Sequence, residues 1–443
     1  MRAYSTRGQA PAIPIAEAIA AGLAADGGLY LPEHWPQFKP VDFDGAGTLA
    51  EIGLRLLQPF FEGGALETAL PGICERTLAI DPPLVAFGNK SDFLLGLFHG
   101  PTAAFKDYAE GFLSGGLSAL PRGEKDLTIL VATSGDTGAA VAAAFHNLPG
   151  FRVAILYPDG RVAPRQAHQL GSFGGNVCAL RVDGNFDDCQ RLAKTLLADT
   201  EFRRRVPLGS ANSISLGRLL PQISYYAHAA LGHWRNSGTK LNFVIPTGNL
   251  GNALACVLAR RMGLPIGEIA LASNANSVLP EFFAGADYAP RPGIATLANA
   301  MDVGAPSNFE RLQALYPDPA ELRQQLRAEA VSDAQIRAAI ARSLTQCGQS
   351  ICPHTACAAE VLDRLRARGK SGDWAVVATA HPAKFPDVVE PLIGRPVPVP
   401  ASLAAMLTRP SHADPLPDAV EALKVALLSN AKPQKPALSA GDG

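Results

Sequence analysis

The chain lacks the features that define several large classes of protein. It has no excess of one charge: 39 Lys and Arg stand against 40 Asp and Glu, for a formal net charge of −1. No long-range field therefore attracts nucleic acid or an anionic membrane, and any anionic ligand must be held by a local site. Long apolar runs are also scarce. Residues 241–259 are free of charge and close to the length of a membrane span, but Pro246, Gly248, Asn249, Gly251 and Asn252 interrupt them. That composition reads as a strand, a tight loop and a helix start. Residues 1–36 have no secretory core, because Pro11, Pro14, Glu17 and Asp26 break the apolar part. Cysteine offers no disulfide framework: seven residues, an odd number, are scattered through 443, as expected of reduced, buried thiols. The expectation is a cytoplasmic protein with no nucleic-acid or membrane partner.

What is present is enough apolar residue, 47% of the chain, to bury a core divided over two or three domains. The first 90 residues mix helical patterns at 15–25 and 49–61 with a turn at Asp26-Gly27-Gly28 and read as a smaller N-terminal domain. From residue 127 short apolar strands alternate with helices: strands at 127–133, 151–157, 177–182, 241–245, 269–272 and 374–379, helices at 139–148 and 186–198. Strands apolar throughout and separated by helices imply an α/β fold, doubly wound with mostly parallel sheets. Residues 322–341 read as a charge-rich helix. Beyond about residue 395 the chain is Pro-rich, then offers an amphipathic helix at 418–428 and a polar Lys/Pro/Gly tail expected to be disordered. The expected division is 1–90, a lobe 91–235, a lobe 236–400 and a terminal segment 401–443.

In such sheets ligands bind beyond the carboxyl ends of the strands, and three strand-to-helix loops share one composition. Thr133-Ser-Gly-Asp-Thr-Gly138, Thr247-Gly-Asn-Leu-Gly-Asn252 and Ala378-Thr-Ala-His-Pro382 combine small residues, hydroxyls and free amides near a helix start, the means of holding an anion. Turn formation and capping alone would account for any one of them. The chemistry is placed at Lys106, in Leu97-Phe-His-Gly-Pro-Thr-Ala-Ala-Phe-Lys106, just ahead of a helical pattern. Phe98, Ala103, Ala104, Phe105 and Phe112 would desolvate its ammonium and favour the neutral amine that attacks an aldehyde. The plainer reading is a Lys stem lying on apolar neighbours. Other motifs fail. Gly369-Lys370-Ser371 lacks the glycine of a P-loop at Arg364, and the 248–252 loop lacks the dinucleotide glycine spacing. Cys347, Cys352, His354 and Cys357 lack zinc-knuckle spacing, so no metal is expected.

These residues, with others, carry a resemblance to the threonine synthase family. Its strings are Tyr4-Ser-Thr-Arg-Gly8, Gly22-Leu-Ala-Ala-Asp-Gly-Gly-Leu-Tyr-Leu-Pro32, His99-Gly-Pro-Thr-Ala-Ala-Phe-Lys-Asp107, Ala132-Thr-Ser-Gly-Asp-Thr-Gly138, Ser210-Ala-Asn-Ser213, Pro246-Thr-Gly-Asn-Leu-Gly-Asn252, Asn299-Ala-Met-Asp302, Pro306-Ser-Asn308, Pro353-His-Thr-Ala356 and Ala378-Thr-Ala-His-Pro-Ala-Lys-Phe385. They keep their order along almost the whole chain. The resemblance implies two α/β lobes around a pyridoxal 5'-phosphate cleft, plus an N-terminal domain. It implies conversion of O-phospho-L-homoserine and water to L-threonine and phosphate, by a lyase that acts as a monomer. Lys106 would carry the Schiff base, and Gly248, Asn249, Leu250, Gly251 and Asn252 would wrap the cofactor phosphate. Thr379 would face the pyridine nitrogen, leaving the ring a weaker electron sink than an acidic partner would. Ser134, Thr137 and nearby amides would hold the substrate carboxylate, with Asp136 near the ring hydroxyl. The substrate phosphate needs cations or aligned donors, for which Arg218, Thr102, Ser213 and Lys384 are the candidates. Capping or surface roles are open to each of those four.

One position departs from the family pattern: Asn is expected where Ser215 stands. Serine lacks the paired donor and acceptor of the amide, so that contact must be lost or supplied elsewhere. Two rival functions remain open from sequence. One is a dehydratase or cysteine synthase on the same fold, against which the N-terminal strings and Asn299-Ala-Met-Asp302 speak. The other is a non-catalytic binding protein, against which the retention of Lys106, the glycine loop and Thr379 speaks.

Overall fold

The computed structural model describes residues 1–429; the expected tail and its disorder lie outside them. The chain forms two compact units, each assembled from two stretches. The first comprises Met1–Pro121 and Ala211–Thr408, the second Arg122–Ser210 and the chain from Arg409 on.

The first unit is built on a six-stranded sheet in the order Arg327–Ala330, Ile266–Ser273, Leu241–Pro246, Asp373–Ala378, Asn89–Gly96, Leu84–Phe87. Every pairing is parallel except the last, an antiparallel edge. The central strands are apolar on both faces because helices cover both. Leu241, Phe243, Val244 and Ile245 are fully buried, as are Trp374, Ala375, Val376 and Val377. Register sets where the strands end. Val244 lies opposite Val376, and Ala378 opposite Gly96, so these three strands run out at one edge of the sheet. The loops after Pro246, Ala378 and Gly96 therefore start side by side. A small antiparallel sheet, Ile13–Pro14, Arg2–Ser5 and Tyr30–Pro32, belongs to the same unit. So do the helix Leu49–Phe61, capped by a Thr48–Glu51 box, and the long helix Leu216–Ser237.

The second unit carries an all-parallel sheet in the order Asp414–Leu416, Val177–Val182, Phe151–Pro158, Leu127–Ala132, Leu208–Gly209. Its helices Phe186–Ala198 and Val420–Ser429 cover one apolar core of Leu130, Leu156, Leu180, Leu192, Leu196 and Leu423.

Two sequence expectations need correction. Residues 322–341 are not one helix: the helix Pro319–Gln325 ends, Arg327–Ala330 pairs in parallel with Ile266–Ser273, and a second helix, Asp333–Cys347, begins at a Ser332–Gln335 capping box. Pairing at the sheet edge outweighs the helical propensity of Arg-Ala-Glu-Ala. The helix expected at 15–25 stops at Ala21, where Gly22 takes φ +75°. Among the described residues no helix is long and apolar enough to cross a membrane.

Candidate active site

The turn that delivers Lys106 is stitched to the strand end beside it. Leu97 N donates to Ala378 O at 2.9 Å, Phe105 N to Thr379 O at 2.9 Å, and His381 N to Ala103 O at 3.0 Å. Ala103 sits in the left-handed region, φ 57°, a conformation that a non-glycine residue holds only where its surroundings enforce it. The enforcement comes from Asp107, which is enclosed. Its carboxylate accepts from Thr102 N at 2.9 Å and Thr102 Oγ1 at 2.5 Å, and a Cβ at Gly100 would come within 2.4 Å of it. Burial pushes Asp107 up to about 6, against the opposing pull of Thr102 and Lys384. Lys384, fully buried, donates from Nζ to Thr102 O at 2.9 Å. Helix Lys106–Ala119 starts there, and Lys106 Nζ lies 4.6 Å from the centre of the Phe105 ring. The structure thus brings Lys106, Thr102, Lys384 and Thr379 together within the first unit.

One turn further along this helix lies Glu110, fully buried, with Oε1 2.9 Å from Arg218 Nε. The angle leaves both atoms without a regular hydrogen bond; Arg218 Nη1 donates to Ala211 O at 2.9 Å. Burial pushes the Glu110 carboxyl up to about 8, and the charges of Arg218 and Lys106 only partly offset this. Ser215, where the resemblance leads us to expect Asn, is buried at the start of the long helix, and its Oγ has no hydrogen-bond partner among the described residues.

The second component is the loop after Pro246. Gly248 packs on the chain at Met301, where a Cβ would lie 2.7 Å from Met301 Cα. Leu250 takes φ 66°, and helix Gly251–Arg261 begins without a side-chain cap. Asn249 bonds Ser213 Oγ through its amide, and Asn308 Nδ2 donates to Asn249 O at 3.0 Å. Asn252 Oδ1 accepts from Tyr225 at 2.6 Å and Tyr226 at 2.8 Å. Its Nδ2 is buried and has no partner among the described residues. An uncapped helix N-terminus with an unused buried donor beside it has the chemistry of a phosphate cradle. The loop therefore fits the phosphate of pyridoxal 5'-phosphate.

Thr379 follows strand Asp373–Ala378 and is buried. Close by, His381 is pushed down to about 4 by burial, by His99 and by Lys384, so it is neutral at physiological pH.

Ser134, Asp136 and Thr137 belong to the second unit. Thr133 Oγ1 accepts from Gly135 N at 2.9 Å and Gly138 N at 3.0 Å, drawing the loop tight over the start of helix Asp136–Phe145. Asp136 is buried and accepts from Gln166 Nε2 at 2.7 Å; Ser134 and Thr137 are half-buried. Cys352 caps helix Pro353–Ala367, and His354 Nε2 accepts from Ala300 N at 3.1 Å. No group of His, Cys, Asp or Glu among the described residues is arranged to hold a metal ion.

Sequence reading had not singled out Asp107 or Glu110 as site residues, although both follow Lys106 within about one turn. Arg311, Tyr225 and Tyr226 carried no local signal.

Residues 94–383 match the family described as pyridoxal-phosphate dependent enzyme. Residues 2–78 match the threonine synthase N terminus, and residues 355–426 the threonine synthase C-terminal segment. Threonine synthase of Serratia marcescens is 36% identical over 430 residues, 97% of this chain and 99% of that protein. The crystal structure of pyridoxal-phosphate-bound threonine synthase from Brucella melitensis superposes with a TM-score of 0.87 at 34% identity, covering 98% of this chain and all of the other. The Escherichia coli threonine synthase structure gives a TM-score of 0.87 at 33% identity over 97% of this chain. With its Lys106 turn, its uncapped glycine loop and terminal segments that both match, the chain belongs to the threonine synthase family of pyridoxal-phosphate-dependent enzymes.

Proposed function

We infer that this chain converts O-phospho-L-homoserine and water to L-threonine and phosphate, the last step of threonine biosynthesis. The observation that carries the reading is Lys106, held at the edge of the sheet by the Phe105–Thr379 and Ala103–His381 hydrogen bonds, in a chain that matches the family from end to end. Gly248, Asn249, Leu250, Gly251 and Asn252 would hold the cofactor phosphate with backbone amides and the Asn252 amide. Lys106 would hold the cofactor's carbonyl carbon, and Thr379 would offer a hydroxyl to its ring nitrogen. When bound, the cofactor withdraws electrons from the substrate carbon next to the amine.

The chain's own residues do the rest. With the cofactor bound, Lys106 would serve as a neutral base that takes the proton from Cα and moves protons at Cβ and Cγ. The phosphate would leave from Cγ and the water would enter at Cβ. Ser134 and Thr137 are assigned to the substrate carboxylate and Asp136 to the ring hydroxyl, its carboxylate oriented by Gln166. For the substrate phosphate, Ser213 is the half-buried candidate. Arg218, Thr102 and Lys384, the other candidates, are enclosed; Arg218 and Lys384 would contribute charge and Thr102 a fixed frame. The enzyme is proposed to act as a cytoplasmic monomer.

The test is the absorbance spectrum of purified protein and of Lys106→Ala, with phosphate release measured on O-phospho-L-homoserine and ammonia release measured on threonine. A cofactor band lost in the variant, together with phosphate and threonine formed only by the parent, is the expected result. Ammonia release without phosphate release would instead make the chain a dehydratase.

A further inference from the structure

Arg311, in helix Phe309–Leu315, is a fully buried cation. Its Nε donates to Tyr30 O at 3.0 Å, its Nη2 to Ile214 O at 2.6 Å and its Nη1 to Asn308 Oδ1 at 2.6 Å. None of these acceptors carries charge. The adjacent Glu310 carboxylate pairs with Arg7 at 3.2 Å and bonds Thr6. Burial pushes Arg311 down to about 9, with Glu310 opposing. A guanidinium satisfied only by neutral oxygens has its hydrogen bonds but lacks a counter-charge, and an enclosed charge is costly without one.

Asn308 connects this cation to the glycine loop. While its Oδ1 takes the Arg311 hydrogen bond, its Nδ2 donates to Asn249 O at 3.0 Å and Ser213 O at 3.2 Å. A Cβ at Gly251 would stand 3.6 Å from that same Nδ2. One amide side chain thus separates Arg311 from the start of helix Gly251–Arg261. Residues 248–252 contain no Lys or Arg, and a helix N-terminus offers only about half a positive charge against the nearly two negative charges of a phosphate monoester.

We propose that Arg311 is a positioning residue that supplies the missing counter-charge for the cofactor phosphate, acting through Asn308, which also fixes the Asn249 peptide. This rests on the placement of that phosphate at Gly248–Asn252. The buried cation and the bound anion would complete one another, and the Tyr30 contact would tie the N-terminal sheet to the occupied loop.

The experiment strips the full-length holoenzyme of cofactor and titrates it with pyridoxal 5'-phosphate and with pyridoxal, which lacks the phosphate, reading the cofactor absorbance. Arg311→Met should weaken the phosphorylated cofactor on the order of tenfold or more, the Coulomb effect of one enclosed charge acting across one side chain, and pyridoxal much less. Arg311→Lys should restore most of the difference. Equal weakening of both ligands would overturn the proposal and leave Arg311 a folding residue. Asn308→Ala carries the same comparison should Arg311→Met not fold. Gly251→Asp, which places a carboxylate on the loop, separates the two claims. If it leaves pyridoxal 5'-phosphate binding intact, the placement of the phosphate is wrong, whatever Arg311 does.

Discussion

In the second unit Leu130, Leu156, Leu180, Leu192, Leu196 and Leu423 pack into an apolar core, and ion pairs such as Arg152–Asp126 at 2.9 Å and Arg181–Asp159 at 3.4 Å stay partly exposed. The first unit encloses Asp107, Glu110, Arg218, Arg311 and Lys384, none more than 5% exposed. An apolar core tolerates many packings of similar volume. Buried charges do not, because each must meet its partners or cost several kcal/mol. The contrast teaches that the first unit gives up stability to hold one arrangement around Lys106 and the glycine loop, while the second, apart from the buried Asp136 carboxyl, gains stability from generic burial.

The largest expected effect lies in the charged region. Lys106→Ala should lower phosphate release by roughly a thousandfold or more and abolish the cofactor band; turnover that survived would remove Lys106 from the chemistry. In the apolar region Leu192→Ala should cost about 2–5 kcal/mol in urea unfolding while the folded protein keeps its kcat. A loss under about 1 kcal/mol would mean that the core collapses around the cavity.

A pH series sharpens the contrast. Because burial raises Glu110 to about 8, the folded state keeps a proton that the unfolded chain releases from the ordinary carboxylate range upward. Stability should therefore fall as pH rises from there to about 8, by at most about 1.4 kcal/mol per pH unit. Glu110→Gln should flatten that slope between about pH 5.5 and 7.5. An unchanged slope would make Glu110–Arg218 an ordinary ionised pair. At the bottom of the scale, Asp126→Asn should cost under about 1 kcal/mol, and less in high salt; a larger, salt-independent loss would blur the distinction between the two regions.

Much of the scaffold was legible in the sequence because its signals are local. The strand Val177–Val182 and the helix Phe186–Ala198 stand where the apolar run and the helical pattern place them. The loop through Leu250 leads into a helix as its small residues suggest. The edge strand Arg327–Ala330 was illegible, since only its neighbour Ile266–Ser273 makes it a strand. The buried charges were illegible for a related reason: a Glu or Arg met in sequence defaults to the surface.

By itself, then, the sequence determined the alternation of strands and helices, the lysine set before a helix, and the glycine loop, because each arises from residues within a few positions of one another. The tertiary structure alone decided that Thr379 meets the Lys106 turn, that Glu110 faces Arg218, and that Arg311 reaches the loop through Asn308. Those contacts join residues distant in sequence. Enclosure at that point, not residue type, sets the charge state and strength of each group.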